Sequence, residues 1–229
     1  MSQSATTTYY IIDFDSTFTK VEGLDELAHI ALDGHPDQEK LVGEIRHLTD
    51  SAMNGELAFA EGLRRRIALL PAHKKHIDKL IVFLRTQVSD SFLRNTSFLQ
   101  NNAANILIVS SGFKEFIVPI VTELGILEKN VYANEFRFDD NGHITGIDQQ
   151  NPLASDGGKK KLLRQLQLQG NICAIGDGYT DYELKEAGLA HRFYAFTENV
   201  KRSKVMSVAE YVVDSLDEVI AYEQTMQLQ

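Results

Sequence analysis

The sequence predicts an α/β protein with a doubly wound, Rossmann-like parallel sheet core and a small helical cap inserted into it. Three observations predict this. Aromatic and β-branched runs at Tyr9–Ile12, Ile106–Val109, Ile172–Ile175, Phe193–Phe196 and Tyr211–Val213 read as buried strands. From Asn105 onward these strands alternate with helical patterns, the mark of a parallel sheet. Between the first two strands lie roughly 65 residues of nearly pure helical patterning, too many for one crossover helix. The core is therefore assigned to residues 1–20 and 88–229, and the cap to 21–87.

The first strand runs into Asp13-Phe14-Asp15-Ser16-Thr17. Residues i and i+2 of a strand share a side, so Asp13 and Asp15 project into one crevice. Two like charges that close raise each other's pKa. Either a cation meets them, or this is an ordinary turn rich in Asp and Ser. Leu24, Leu27, Ala28 and Ala31 then follow i, i+3, i+4, i+7 and open an amphipathic helix. Helical patterning continues to about Gln87, with breaks near Gly34-His35-Pro36, Asn54-Gly55 and Pro71-Ala72.

Within the insert, Phe59, Leu63, Ile67 and Leu70 form one helical stripe, and Arg66 falls inside it. A guanidinium aimed at an apolar face needs an anionic partner. Two readings stand: Arg66 reaches the stripe's edge or pairs with a structural carboxylate, or it recognises the carboxylate of a substrate.

Ile106–Val109 ends at Ser110-Ser111-Gly112, ahead of a helix from about Lys114. A hydroxyl and a glycine between a strand and a helix suit a phosphate, and also suit a plain cap. Val131 to Ile147 reads as a hairpin turning at Asn141-Gly142. Ser155-Asp156-Gly157-Gly158-Lys159-Lys160-Lys161 opens another helix. Three lysines in a first turn oppose the helix dipole, so they are either solvated or placed to meet an anion. Ile172–Ile175 leads into Gly176-Asp177-Gly178-Tyr179-Thr180-Asp181, a second acidic strand end. A helix from about Leu216 closes the chain.

Composition narrows the classes of function. Hydrophobic residues make up 43% and charged residues 24% of 229 residues, ordinary for a globular protein. A net charge of −9 argues against nucleic acid as a partner, since phosphate contacts need Lys and Arg. The single cysteine, Cys173, sits in an apolar run and reads as a core residue, which excludes a disulfide framework. His73 and His76 have no third ligand nearby and read as a solvated helix face rather than a zinc site. No apolar run approaches the length of a membrane span, and no secretory signal is evident. The expected location is the cytoplasm.

Sites in open α/β sheets form at the carboxyl ends of strands. Three such ends carry Asp13 and Asp15, Ser110, and Asp177 and Asp181, and a helix start adds Lys159. Four carboxylates beside a single lysine imply a divalent cation. Oxygen donors and scarce histidine favour Mg²⁺. Serine, lysine and Mg²⁺ together suit a transferring phosphoryl group, with one carboxylate as nucleophile and its neighbour as general acid and base.

With these residues in place, the chain resembles the haloacid dehalogenase superfamily of phosphatases, and within it the phosphoserine phosphatase family. The resemblance runs from Asp13 to the last helix. It rests on Asp13-x-Asp15-x-Thr17, Ser110, Lys159 and Gly176-Asp177-Gly178-x-x-Asp181, in order. Glu22-Gly23-Leu24-Asp25-Glu26-Leu27-Ala28, Ala52-Met53-x-Gly55 with Phe59 and Arg66, and Asn151-Pro152 through Lys159 resemble the family's substrate marks.

The resemblance implies hydrolysis of a small phosphomonoester, O-phosphoserine, through an aspartyl-phosphate on Asp13. Asp15 serves as acid and base. Asp13, the main-chain carbonyl of Asp15, and Asp177 hold Mg²⁺, and Asp181 orients the metal's surroundings. Ser110, Ser111 and Lys159 bind phosphate. Glu22 takes the ammonium and Arg66 the carboxylate, with Met53 and Phe59 as pocket walls. Ser111 stands where the family has glycine, Tyr179 replaces a small residue, and residues 195–199 lack the expected glycines. Phosphothreonine or a phosphoamino alcohol is the alternative substrate, and a phospho-accepting module without turnover the alternative class.

Overall fold

The computed structural model describes residues 7–53 and 56–227. Gly55 of the Ala52-Met53-x-Gly55 stretch lies outside the described residues. Strand β1 (Thr8–Ile12) is the centre of a six-stranded sheet. Its β-branched and aromatic residues suit a strand covered on both faces, where no polar face is needed. A short turn, Phe14–Phe18, follows it. Helices α1 (Gly23–Ala31), α2 (Gln38–Met53), α3 (Phe59–Ala68) and α4 (Lys74–Leu84) come next. Their ends fall at the Gly34–Pro36 and Pro71–Ala72 breaks, where Gly and Pro interrupt the helical backbone.

Two short helices, α5 (Asp90–Arg94) and α6 (Thr96–Asn101), precede β2 (Ile106–Phe113) and carry no clear sequence periodicity. Helix α7 (Lys114–Glu123) leads to β3 (Val131–Asn134). Strands β4 (Phe136–Phe138) and β5 (Ile144–Ile147) form a separate antiparallel hairpin. Helix α8 (Gly158–Leu166), β6 (Asn171–Gly176), α9 (Tyr179–Glu186), β7 (Arg192–Phe196), α10 (Ser203–Met206), β8 (Tyr211–Val213) and α11 (Leu216–Gln227) complete the chain.

The sheet order is β3-β2-β1-β6-β7-β8, and every pairing is parallel. The chain winds outward from β1 in one direction through β2 and β3, then in the other through β6 to β8. That reversal leaves a crevice at the carboxyl end of β1, the place where such sheets bind ligands. No helix among the described residues is long and apolar enough to cross a membrane.

Two sequence expectations are corrected. Ser110-Ser111-Gly112 is not a turn after the strand but the irregular last part of β2, which runs to Phe113. The pairing of β2 with β3 shifts register between Val109 and Phe113. There Ser110 Oγ accepts a hydrogen bond from Gly112 N–H at 2.9 Å, satisfying a donor the ladder leaves over. The expected hairpin from Val131 is also shorter. Val131–Asn134 joins the main sheet beside β2, because its buried apolar face needs a parallel neighbour, and only Phe136–Ile147 folds back on itself.

The two ends of the helical insert are tied together. Thr19 and Val88 form an antiparallel bridge, and Lys20 N–H donates to Gln87 O at 2.7 Å. One hydrophobic core joins Ile12, Ile108 and Phe116 to Leu27 of α1 and Leu80 of α4, so these two helices share the core of the sheet.

Candidate active site

The carboxyl end of β1 delivers Asp13, whose Oδ1 accepts from Phe14 N–H at 2.8 Å. Lys159 Nζ lies 2.9 Å from Asp13 Oδ1 and 2.7 Å from Asp181 Oδ1. Its side chain is buried, so these partners offset the loss of water around the charge. Lys159 reaches this position because Gly157 takes a left-handed backbone, φ 64°, just before α8. The lysine run at a helix N-terminus thus splits. Lys159 turns inward, whereas Lys160 pairs with Glu183 at 2.8 Å.

Asp13, Asp177 and Asp181 each offer a carboxylate oxygen, and these oxygens lie within 4.8 Å of one another. This all-oxygen group is the arrangement a hard divalent cation takes. Burial pushes the Asp177 carboxyl up from its usual range, against the pull of Arg202, and pushes Asp181 well above it. A cation would reverse both shifts. Asp181, expected to orient the metal's surroundings, has its carboxylate in this acidic group and on Lys159. Gly176 makes room for this, because a Cβ there would lie 2.3 Å from Asp181 Cγ.

Asp15 faces elsewhere. Its Oδ1 accepts from Gly23 N–H at 2.7 Å. Burial and the nearby Asp13 push its pKa up to about 7, with the Gly23 bond opposing. Its other oxygen comes so near Gly112 that a Cβ there would approach to 2.9 Å. The turn that carries it has extended backbone at Asp15 and left-handed backbone at Ser16, φ 55°. Ser16 Oγ donates to Glu22 Oε1 at 2.6 Å. Burial and the charges of Asp15 and Asp177 raise Glu22 well above the ordinary glutamate range.

Arg66 is buried, as its place in the apolar stripe demands. It makes no direct ion pair among the described residues. One nitrogen, Nη1, donates to Thr49 Oγ1 at 2.9 Å, and Thr49 Oγ1 donates to Asp25 Oδ1 at 2.7 Å. The Nε atom is buried without a hydrogen-bond partner. Ser110 is fully buried, and Ser111 has its carbonyl held by Asn134 Nδ2 at 2.8 Å. Phe59, Ser111 and Lys159 line one small pocket together with Ser155, Gly158 and Thr180. Asp156 Oδ1 accepts from Ala60 N–H at 3.0 Å and so joins the lysine loop to the start of α3. Met53 stands half-buried at the end of α2. Tyr179 packs against Tyr182, ring centroids 5.4 Å apart, and Lys204 Nζ lies over its ring, 5.0 Å from the centroid.

Sequence reasoning missed Arg202. Its Nε donates to Asp177 Oδ2 at 2.8 Å, and its Nη2 lies 3.7 Å from Glu22 Oε1. Nothing in Lys201-Arg202-Ser203-Lys204 distinguishes it from a solvated basic run. Thr17, whose Oγ1 donates to Asp177 Oδ1 at 3.3 Å, was read only as part of a motif. A cavity of 580 Å³ between α3 and the β4–β5 hairpin is lined by none of the predicted site residues.

Residues 11–186 match the family model of haloacid dehalogenase-like hydrolases. The chain belongs to that family. As a haloacid dehalogenase-like hydrolase it is similar to the phosphoserine phosphatase of Homo sapiens, 31% identical over 211 residues, covering 91% of this chain and 89% of that protein. Among solved structures, the hydrolase is similar to a phosphoserine phosphohydrolase-like protein from Francisella tularensis, with a TM-score of 0.85 and 29% identity over 94% of this chain and 99% of the other. A phospho-aspartyl intermediate analogue of phosphoserine phosphatase shares the fold, with a TM-score of 0.76 at 23% identity over 96% of this chain and 99% of that one. The hydrolase is an enzyme of the phosphatase kind, and its acidic triad is a group that can hold a metal ion.

Proposed function

We propose that this hydrolase cleaves O-phosphoserine to serine and phosphate, with Mg²⁺ as cofactor and Asp13 as nucleophile. The observation that carries the substrate assignment is Arg66. A buried guanidinium with an unpartnered Nε and no direct carboxylate costs several kcal/mol. A substrate carboxylate arriving in the pocket removes that cost, and Glu22 lies within the same field of charges to take the ammonium. The phosphoserine phosphatases among its relatives support the same choice.

The two carboxylates at the end of β1 divide the chemistry. Asp13 attacks phosphorus, the bond to the seryl oxygen breaks, and Asp15 gives that oxygen its proton. A carboxyl pushed up to about 7 keeps a proton to give near neutral pH. Serine leaves. Asp15, now ionised, takes a proton from water, whose oxygen attacks phosphorus; the bond to Asp13 breaks and phosphate departs. Lys159, Ser110 and Ser111 hold the phosphate oxygens, and Met53 and Phe59 wall the substrate. We assign residues 21–87 as the cap that brings Arg66 and Glu22 over the sheet.

Asp13, Asp177 and the main-chain carbonyl of Asp15 would hold the ion, with Asp181 fixing the arrangement through Lys159. When bound, Mg²⁺ neutralises the acidic triad and the charge on the phosphoryl oxygens. Its preference for few carboxylates completed by water and phosphate matches this donor set.

The test is a phosphate-release screen over small phosphomonoesters, with and without Mg²⁺. The expected result is Mg²⁺-dependent turnover with O-phosphoserine preferred over phosphothreonine and phosphoethanolamine. Equal rates on substrates lacking the carboxylate would contradict the assignment.

A further inference from the structure

The loop after β7 lies outside the four motifs, yet it closes the back of the turn that carries Asp15. Asn199 Nδ2 stands 3.2 Å from the carbonyl oxygens of Ser16, Thr17 and Thr19 alike. It also donates to Ser89 Oγ at 2.7 Å. Ser89, fully buried, donates in turn to Thr17 O at 2.7 Å. One side-chain amide with two hydrogens is thus shared among four oxygens.

Ser16 has left-handed backbone, a conformation that is strained in a residue other than glycine. It persists only where its surroundings hold it. Inside the turn, Ser16 N–H donates to Val21 O at 3.2 Å and Thr19 N–H to Phe14 O at 2.9 Å. Outside it, Asn199 is the side chain that gathers the carbonyls. The loop bearing Asn199 is itself anchored. Thr197 N–H and Oγ1 both donate to Val213 O, at 2.8 and 2.9 Å. The neighbouring Glu198 carboxylate accepts from Ser91 N–H at 3.0 Å and from Ser91 Oγ.

We propose that Asn199 is a positioning residue for the phosphatase reaction, holding the Phe14–Thr19 turn so that the Asp15 carboxyl and the Ser16 hydroxyl on Glu22 stay in place. This rests on the reading of Asp15 as acid and base. Phosphate contacts from Ser110 and Lys159 lie on other elements, so loss of the brace affects proton transfer more than substrate binding. A displacement of about 1 Å at a reacting group costs on the order of 100-fold in rate.

The experiment compares N199D, close in shape but without the amide donors, with the wild-type enzyme. Expected is a fall in kcat for O-phosphoserine of about 10- to 100-fold, with KM within about threefold; the melting temperature falls, because a carboxylate now faces four oxygens, while the circular dichroism spectrum stays that of the folded protein. Hydrogen exchange in the absence of substrate should quicken at the amides of Ser16 and Thr19 and not across the sheet. A kcat within about twofold of wild type, or unchanged exchange at those two amides, overturns the proposal. Should N199D not fold, N199S, which removes the amide without adding a charge, carries the same test: a several-fold fall in kcat supports the brace, and an unchanged kcat overturns it. The exchange arm needs no substrate. It therefore separates failure of the brace from failure of the phosphoserine reading, which would appear as a wild-type enzyme that leaves O-phosphoserine intact.

Discussion

Arg66 is buried and Asp15 half-buried, and the loss of water does opposite things to them. For Asp15 it favours the protonated acid, which the proposed first half of the reaction calls for. For Arg66 it leaves a charge short of a partner. R66A should therefore raise KM for O-phosphoserine by about 10- to 100-fold, the worth of a charge-assisted hydrogen bond. KM for phosphoethanolamine, which has no carboxylate, should stay within about threefold. Steady-state kinetics on the two substrates checks this, and an equal rise in both would remove Arg66 from substrate recognition. The stripe Phe59, Leu63, Ile67 made Arg66 legible, because a charged residue at an apolar period is a visible anomaly. Arg202 and Asn199 carry no such mark. They sit in a polar loop, and only the fold brings Asn199 to Ser16 and Arg202 to Glu22, some 180 positions earlier.

Among elements, the strand–motif pairs were legible because parallel strands buried on both faces read as continuous apolar runs. Strand ends were less so. The sequence shows Ser-Ser-Gly as punctuation, whereas β2 continues through it with a shifted register. The consequence is a close approach: Gly112 passes within reach of the Asp15 carboxylate. G112A places a methyl 2.9 Å from Asp15 Oδ2 and should lower kcat by at least about tenfold. Its circular dichroism spectrum should match wild type, since the clash is with a side chain in the crevice. Unchanged kcat would mean that the acid can move aside freely. The boundary of β3 was missed for a related reason. Val131–Asn134 and Phe136–Phe138 are separated by a single residue, and periodicity alone does not say that they pair with different partners.

Over the whole molecule, the site concentrates negative charge. Asp15, Glu22, Asp25, Asp177 and Asp181 are all raised above their usual carboxyl values by burial first of all. A carboxyl raised in the folded state favours folding fully below its unfolded value, near 4, and loses that contribution as pH rises through the folded value, which for Asp15 is about 7. The metal-free protein should therefore melt at higher temperature as pH falls from about 8 toward about 5. His76, lowered by burial and nearby lysines, opposes this as it charges at the acidic end. Added Mg²⁺ should stabilise most at the alkaline end, where the triad is ionised. Calorimetry with chelator and with Mg²⁺ across that range gives the comparison. A metal-free melting temperature that climbs with pH would show that the acidic crevice is not the dominant strain. Strand order was beyond the sequence, since many windings of six strands satisfy the same pattern. Once β1 is seen between β2 and β6, the crevice at Asp13 follows.

The most direct measurement is phosphate release from O-phosphoserine in the presence of Mg²⁺, for the wild-type enzyme and D13N side by side. Asp13 is the proposed point of covalent attack, so the wild type should turn over and D13N should lose activity by at least about 1,000-fold while still folding. Release by folded D13N at a rate near that of the wild type would contradict the mechanism at its centre.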